Sequence, residues 1–392
     1  MLQIDHVYEF FNNTLFKQDF ELFSFPKGVP PSLDNFYSII FTREHLSGNI
    51  FFYDQEPLLP GYTDSVINLV KRDFQDQCVN TVFVNSEHSD YKQQLLTQHN
   101  FKDLYYFFHG YAALDWYRGF YALNYNQNVI TNYDKDFVSY NRIVTGDRSY
   151  RMYFVSKLVE YNLLDQGLVS FGVTDNSVHW RDELDDDESK LSPTAREHIL
   201  KHLSTIPARL IIDKDQIHGS ASADVARRGI ITENVPEQRF EHDPWALWHV
   251  VTETAFYQNK LHLTEKIFKP IVSKQPFMLL ASPGNLEYLR DYGFKTFEGI
   301  IDESYDLIKD NDQRVNAVVA QLAWYCNLSQ EEKQAVIERL APIVEYNFQH
   351  FYGEFKHIIT RELLDNCKTV FKEIGYDDKT IAYENIYHVL TS

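Results

Sequence analysis

Two stretches of this chain place positive charge where a helix is expected to begin. The first is Phe137–Leu158, FVSYNRIVTGDRSYRMYFVSKL. Its pattern predicts a strand ending near Tyr140-Asn141, a turn through Thr145-Gly146-Asp147 with Asp147 as N-cap, and a helix with an apolar stripe at Phe154, Val155, Leu158 and Val159. Arg148 and Arg151 fall in the first turn of that helix. The free N–H groups there already act as partial positive charge, so each cation is disfavoured by ~0.3–1 kcal/mol. A bound anion reverses that sign; the alternative is that both arginines bend outward to water or to acids. The second stretch is Leu261–Pro270, LHLTEKIFKP, where Thr264 caps a helix whose first turn holds Glu265 and Lys266. Two such strand-turn-helix units suit a diphosphate lying across the carboxyl ends of a parallel sheet. Glu265, acceptor-only when ionised, can take both hydroxyls of a ribose.

Other residues could meet a second substrate. Phe51–Leu59, FFYDQEPLL, carries Asp54 and Glu56 at the end of an apolar run, on one face by strand alternation. In Tyr105–Tyr121, YYFFHGYAALDWYRGFY, a strand is predicted to stop near Gly110, leaving His109, Asp115, Trp116 and Arg118 at or just beyond its end. Aromatic faces with a few polar groups suit sugar rings or a stacked base. A packed core with a satisfied His and an Asp–Arg surface pair fits equally. The acidic run Asp182, Glu183, Asp185, Asp186, Asp187 and Glu188 contains an Asp-x-Asp spacing able to hold a divalent ion on a diphosphate. Its polar setting, ending at Ser192-Pro193, predicts a structureless solvated loop instead, and no metal site is expected.

The elements that must position these residues are short apolar runs: Tyr37–Thr42, Asn49–Tyr53, Thr81–Asn85, Leu104–Phe108, Phe137–Tyr140, Leu168–Gly172, Ala208–Ile212, Ala246–Thr254 and Pro276–Leu280. Most lack strict alternation, as strands buried on both faces do. Helical stretches between them predict βαβ units and parallel sheets. A division near Asp134–Asp136 gives an amino-terminal α/β lobe over 1–135, a second over 136–329, and a helical segment over 330–392. That last segment has apolar residues at i, i+4 through Val336, Leu340, Val344 and Phe348.

The 392 residues carry a net charge of -19, acidic in both halves, which opposes sequence-independent binding to a nucleic-acid backbone. A bound diphosphate must therefore be held by a few well-placed cations. Met1–Phe11 bears acids rather than a basic leader, and no apolar run approaches the ~20 residues of a membrane span. The three cysteines, Cys78, Cys326 and Cys367, are scattered and show no zinc spacing. A cytoplasmic protein, from a bacterium or a virus-infected cell, is expected.

At the helix starts the chain resembles the α1,3-fucosyltransferases, a GT-B family with two Rossmann-like lobes facing a cleft. The likeness lies in Ser139-Tyr140-Asn141 followed by Arg151-Met-Tyr-Phe154-Val-Ser-Lys-Leu158, and in Glu253-Thr254-Ala255 followed by His262-Leu263-Thr264-Glu265-Lys266. His262 stands where the family usually has Tyr, and Thr254 where it has Asn. The resemblance implies that Arg151 and Lys266 hold the donor diphosphate and Glu265 the ribose, with Glu253 and His262 beside them; Arg148 joins them by its place at the helix start. It also implies a carboxylate base near an E-P sequence in the first lobe, here Glu56; Asp54, His109, Asp115, Trp116 and Arg118 are the candidates toward the acceptor by residue type and placement alone. The implied activity is inverting, metal-independent transfer from a GDP- or UDP-sugar to a hydroxyl, on a glycan or on a hydroxymethylated base in DNA. No other cofactor is implied. The alternative is a non-catalytic nucleotide- or sugar-binding protein that keeps only the donor lobe.

Overall fold

The computed structural model describes residues 4–11, 20–25, 48–54, 57–68 apart from 62 and 66, 78–121, 133–212 apart from 176, 177, 206, 208 and 209, 246–375, 379 and 381–392. The predicted strand Tyr37–Thr42 and the candidate base Glu56 lie outside these residues, as does the Asp54 side chain. The chain divides into two compact units, one of residues 1–115 with 354–392, the other of residues 116–353.

In the first unit β1 (Phe20–Phe25), β2 (Gly48–Asp54), β3 (Cys78–Asn85) and β4 (Lys102–Tyr105) form a parallel sheet in chain order. Phe52 pairs with Phe83, and their rings stack at 5.3 Å. The strand expected over Leu104–Phe108 ends at Tyr105, and a helix, Phe108–Trp116, begins three residues later. Ala112, Ala113 and Leu114 favour that helix. Helix Phe355–Ile374 packs on this sheet: Asn366 Nδ2 donates to the Tyr105 carbonyl at 2.8 Å, and Tyr111 donates to Thr360 Oγ1 at 3.2 Å.

The second unit holds β5 (Lys135–Ser139), β6 (Gly167–Phe171), β7 (Ile211–Ile212), β8 (Ala246–Thr252) and β9 (Phe277–Leu280). Their order is β7-β6-β5-β8-β9, all parallel. All seven residues of β8 are buried, which explains its unbroken apolar run. The chain grows from β5 toward β7 on one side, then returns to lay β8 on the other edge of β5. That reversal is a topological switch point, where open α/β sheets present a crevice at their carboxyl ends.

Helix Gln330–Tyr352 starts with a Ser329–Glu332 capping box and buries Val336, Leu340, Val344 and Phe348, as their spacing predicts. Phe351 packs on Phe268 at 5.5 Å within the second unit. The carboxyl-terminal segment is therefore shared: its first helix belongs to the second unit and its remainder to the first. The two units join in the chain at 115/116 and again at 353/354. Among the described residues no helix is long and apolar enough to cross a membrane.

Candidate functional site

β5 and β8 lie side by side, with Trp248 opposite Phe137 and Val250 opposite Ser139, so their carboxyl ends open into one crevice. A solvent-open cleft of about 810 Å³ occupies it. Tyr140, Arg142, Ile143, Arg148 and Arg151 line it from β5 and the chain that follows. His249, Thr252, Thr254, Glu265, Lys266 and Lys269 line it from β8 and the helix beyond, and Tyr117 adds an aromatic ring. Five of these side chains are cationic and only Glu265 is acidic, in a chain of net charge -19. Like charges gathered in a partly dry crevice repel, and an anion between them removes that cost.

The loop after β5 is held tightly. Asn141 N–H donates to Ser170 Oγ at 2.8 Å, and Gly172 N–H donates to the Asn141 carbonyl at 2.8 Å. A Cβ on Gly172 would overlap the Arg142 carbonyl oxygen, so glycine is what allows this approach. Gly146 takes φ +58° and opens a one-turn 3-10 helix, Gly146–Arg148. Helix Tyr150–Glu160 follows, with Ser149 rather than Asp147 at its N-cap position but making no side-chain capping bond; Asp147 pairs with Lys190 instead.

The acidic run is solvated as expected at Asp182 and Asp185–Glu188, but it is not structureless throughout. Asp182–Asp185 forms a turn of helix, and buried Glu183 accepts the Gly146 N–H at 2.7 Å. Arg196 donates to the carbonyls of Leu184 at 2.9 Å and Asp186 at 2.7 Å. One guanidinium gathering carbonyls so ordered the segment in spite of its charge.

Arg151 lines the cleft but is 3% exposed. Its Nη1 donates to the Ile143 carbonyl at 2.9 Å, and its Nη2 to the Thr252 and Glu253 carbonyls at 2.6 and 3.3 Å. It neither bends outward to water nor offers a free fork to an anion: it ties the ends of β5 and β8 together and contributes its charge from beneath. Tyr150, whose phenol is pushed up and kept neutral by burial, adds a bond to the Glu253 carbonyl at 2.6 Å.

Glu253 and His262 are fully buried and do not line the cleft. The Glu253 carboxylate accepts from Thr264 N–H at 3.1 Å, Thr264 O–H at 2.6 Å and Thr254 N–H at 3.1 Å. It latches the end of β8 to the cap of helix Glu265–Val272. His262 lies next to this latch, its N–H donating to Asn285 Oδ1 at 3.0 Å. Both positions expected to meet a donor therefore shape the site from behind it. Thr264 caps the helix as the sequence predicts.

Lys266 lines the cleft with its side chain 31% exposed. Its Nζ lies 3.1 Å from Thr264 Oγ1, 3.2 Å from Thr254 Oγ1 and 3.2 Å from Glu265 Oε1. Lys269 was not anticipated from the sequence. It follows Glu265 by one helical turn, so the i, i+4 rule would have found it, and its Nζ stands 4.1 Å from the Tyr140 ring centroid. Arg142, three residues beyond the end of β5, and His249, 5.4 Å from Tyr140 ring to ring, were likewise missed.

The aromatic segment toward an acceptor serves mainly as core. Tyr105, Tyr106, Phe107, Phe108, His109, Tyr111, Trp116, Tyr117 and Phe120 are buried, and Asp115 and Arg118 are half-buried. None of His109, Asp115, Trp116 and Arg118 lines the cleft of the second unit. No family model, curated protein or solved structure matches this chain.

Proposed function

We propose that the second unit binds a nucleotide-diphosphate sugar in the crevice between β5 and β8, and that the protein is an inverting glycosyltransferase of GT-B type acting on a hydroxyl acceptor. One observation carries this reading: five cations against one carboxylate at a topological switch point, in a strongly acidic chain. Lys266, Lys269, Arg142 and Arg148 take the diphosphate, with Arg151 adding charge below them. Glu265 takes the ribose hydroxyls, and Tyr140, Tyr117 and His249 offer ring faces to the base. In the reaction Glu56 accepts the acceptor's hydroxyl proton while that oxygen bonds the anomeric carbon. The bond from that carbon to the diphosphate breaks, and the leaving group departs with its electron pair onto the cations. Side chains supply the countercharge, so no divalent ion is required for the step.

A thermal-shift panel of GDP, UDP, ADP and CMP with their sugars tests the binding half. A ligand at 100 times its Kd stabilises the folded state by ~2.7 kcal/mol. One nucleoside diphosphate and its sugar should raise the melting temperature clearly. If every member leaves the melt unchanged at millimolar concentration, the assignment is wrong.

A further inference from the structure

The carboxyl-terminal end of helix Tyr150–Glu160 meets helix Pro193–His202 through three side chains that the nucleotide reading leaves unused. His198 and His202 stand at i, i+4 on one face of the second helix, rings stacked at 4.3 Å. Glu160 closes the group, its Oε2 3.2 Å from His198 Nε2. One ligand atom from each of the three lies within 4.8 Å of the others.

The hydrogen bonds around His198 say what this group lacks. Ser156 donates its only hydroxyl proton to the Tyr153 carbonyl at 2.7 Å. Toward His198 Nδ1, 2.9 Å away, that oxygen can therefore only accept, which places the ring proton on Nδ1. Nε2 is then a lone pair facing a carboxylate oxygen, an arrangement of two acceptors. A cation seated between them would mend it. His202 Nε2 is also buried and makes no hydrogen bond.

We propose that Glu160, His198 and His202 bind a divalent transition-metal ion of the Zn²⁺ class, stapling the two helices. Imidazole and carboxylate donors with a fourth position left to water suit such an ion. Bonds of ~2.1 Å set tetrahedral ligand atoms roughly 3.4 Å apart, within a rotamer adjustment of the distances present. The Ser156 contact orients His198 as a metal-bound imidazole requires. Lys157, 2.8 Å from Glu160 Oε2, yields that oxygen and keeps its place over the Tyr153 ring, 5.4 Å away. The ion is structural: Glu160 lies nine residues beyond Arg151, about 13 Å along the helix, so it does not reach the crevice.

The test is calorimetric titration of the full chain with ZnCl₂, paired with Co²⁺ absorption spectroscopy. Parent protein should bind one ion with saturable affinity, and Co²⁺ should show the intense visible bands of four-coordinate geometry. His202→Ala and Glu160→Gln should each weaken that binding at least roughly 10- to 100-fold, with melting in EDTA close to the parent's. Parent-level affinity in both variants, or no one-to-one binding by the parent at 100 µM Zn²⁺, overturns the proposal. Because the readout is metal affinity, it stands or falls separately from nucleotide binding.

Discussion

Arg151 and Lys266 both line the crevice, yet the structure gives them opposite kinds of work, and paired substitutions separate the two. Arg151 is buried and donates to the Ile143, Thr252 and Glu253 carbonyls. Hydrogen bonds from a charged donor contribute ~1.5–3 kcal/mol each, and buried carbonyls left unmade cost a comparable amount. Counting only the two short bonds, Arg151→Ala should destabilise the second unit by about 3–6 kcal/mol. Lys266 is partly exposed, and its contact with Glu265 at 3.2 Å is a surface pair contributing ~0–1 kcal/mol. Lys266→Ala should therefore leave stability within about 1 kcal/mol of the parent. Loss of a charge-assisted contact to the diphosphate, however, should weaken nucleotide binding ~10- to 100-fold. Urea unfolding followed by circular dichroism measures the first quantity, and calorimetric titration with the nucleoside diphosphate selected by the thermal-shift panel measures the second. An Arg151→Ala protein that unfolds at the parent's urea midpoint would refute the clamp. A Lys266→Ala protein that binds the nucleotide as tightly as the parent would refute the crevice as its site.

Three further outcomes are expected. Glu56→Gln keeps size and hydrogen-bonding reach but not proton-accepting power, so sugar transfer should fall by ~10²–10⁴ with melting temperature and donor affinity unchanged; a folded variant with near-normal transfer moves the base elsewhere. Transfer should survive EDTA even as the melting temperature drops, since the crevice cations are side chains and the proposed metal lies away from them; loss of turnover restored only by Mn²⁺ or Mg²⁺ would contradict this. His88 is held neutral, its pKa lowered from 6.5 to about 4 by burial first and by Lys92 second, against Asp103. Between those values the unfolded chain binds the proton and the folded one does not, so stability of the first unit should decline as pH falls from 6.5 toward 4. His88→Asn should flatten that decline in pH-dependent urea melts, and an unchanged slope would remove His88 as its source.

Much of this protein is written in short windows of sequence. The period of Val336, Leu340, Val344 and Phe348 is enough to predict one helix face, and Thr264 before Glu265-Lys266 is enough to predict a capped helix start, because caps and stripes depend on neighbours within a turn or two. The unbroken apolar run of Ala246–Thr252 likewise declares a strand covered on both sides. What tertiary structure alone decided is which of these pieces meet. That β8 lies against β5 places Arg142 and Lys269 on one crevice, and no local pattern encodes a pairing across more than a hundred residues. The same pairing fixes what each charge does. Arg151 and Lys266 read alike as cations at helix starts, but only one has strand-end carbonyls folded over it. Glu253 read as a ligand and became a latch because Thr264 closes on it. Within the acidic run, exposed as expected at Asp182 and Asp185–Glu188, Glu183 alone turned inward because the Gly146 N–H meets it. A side chain's chemistry is set by its type, but its role is set by desolvation and by partners that arrive from distant sequence.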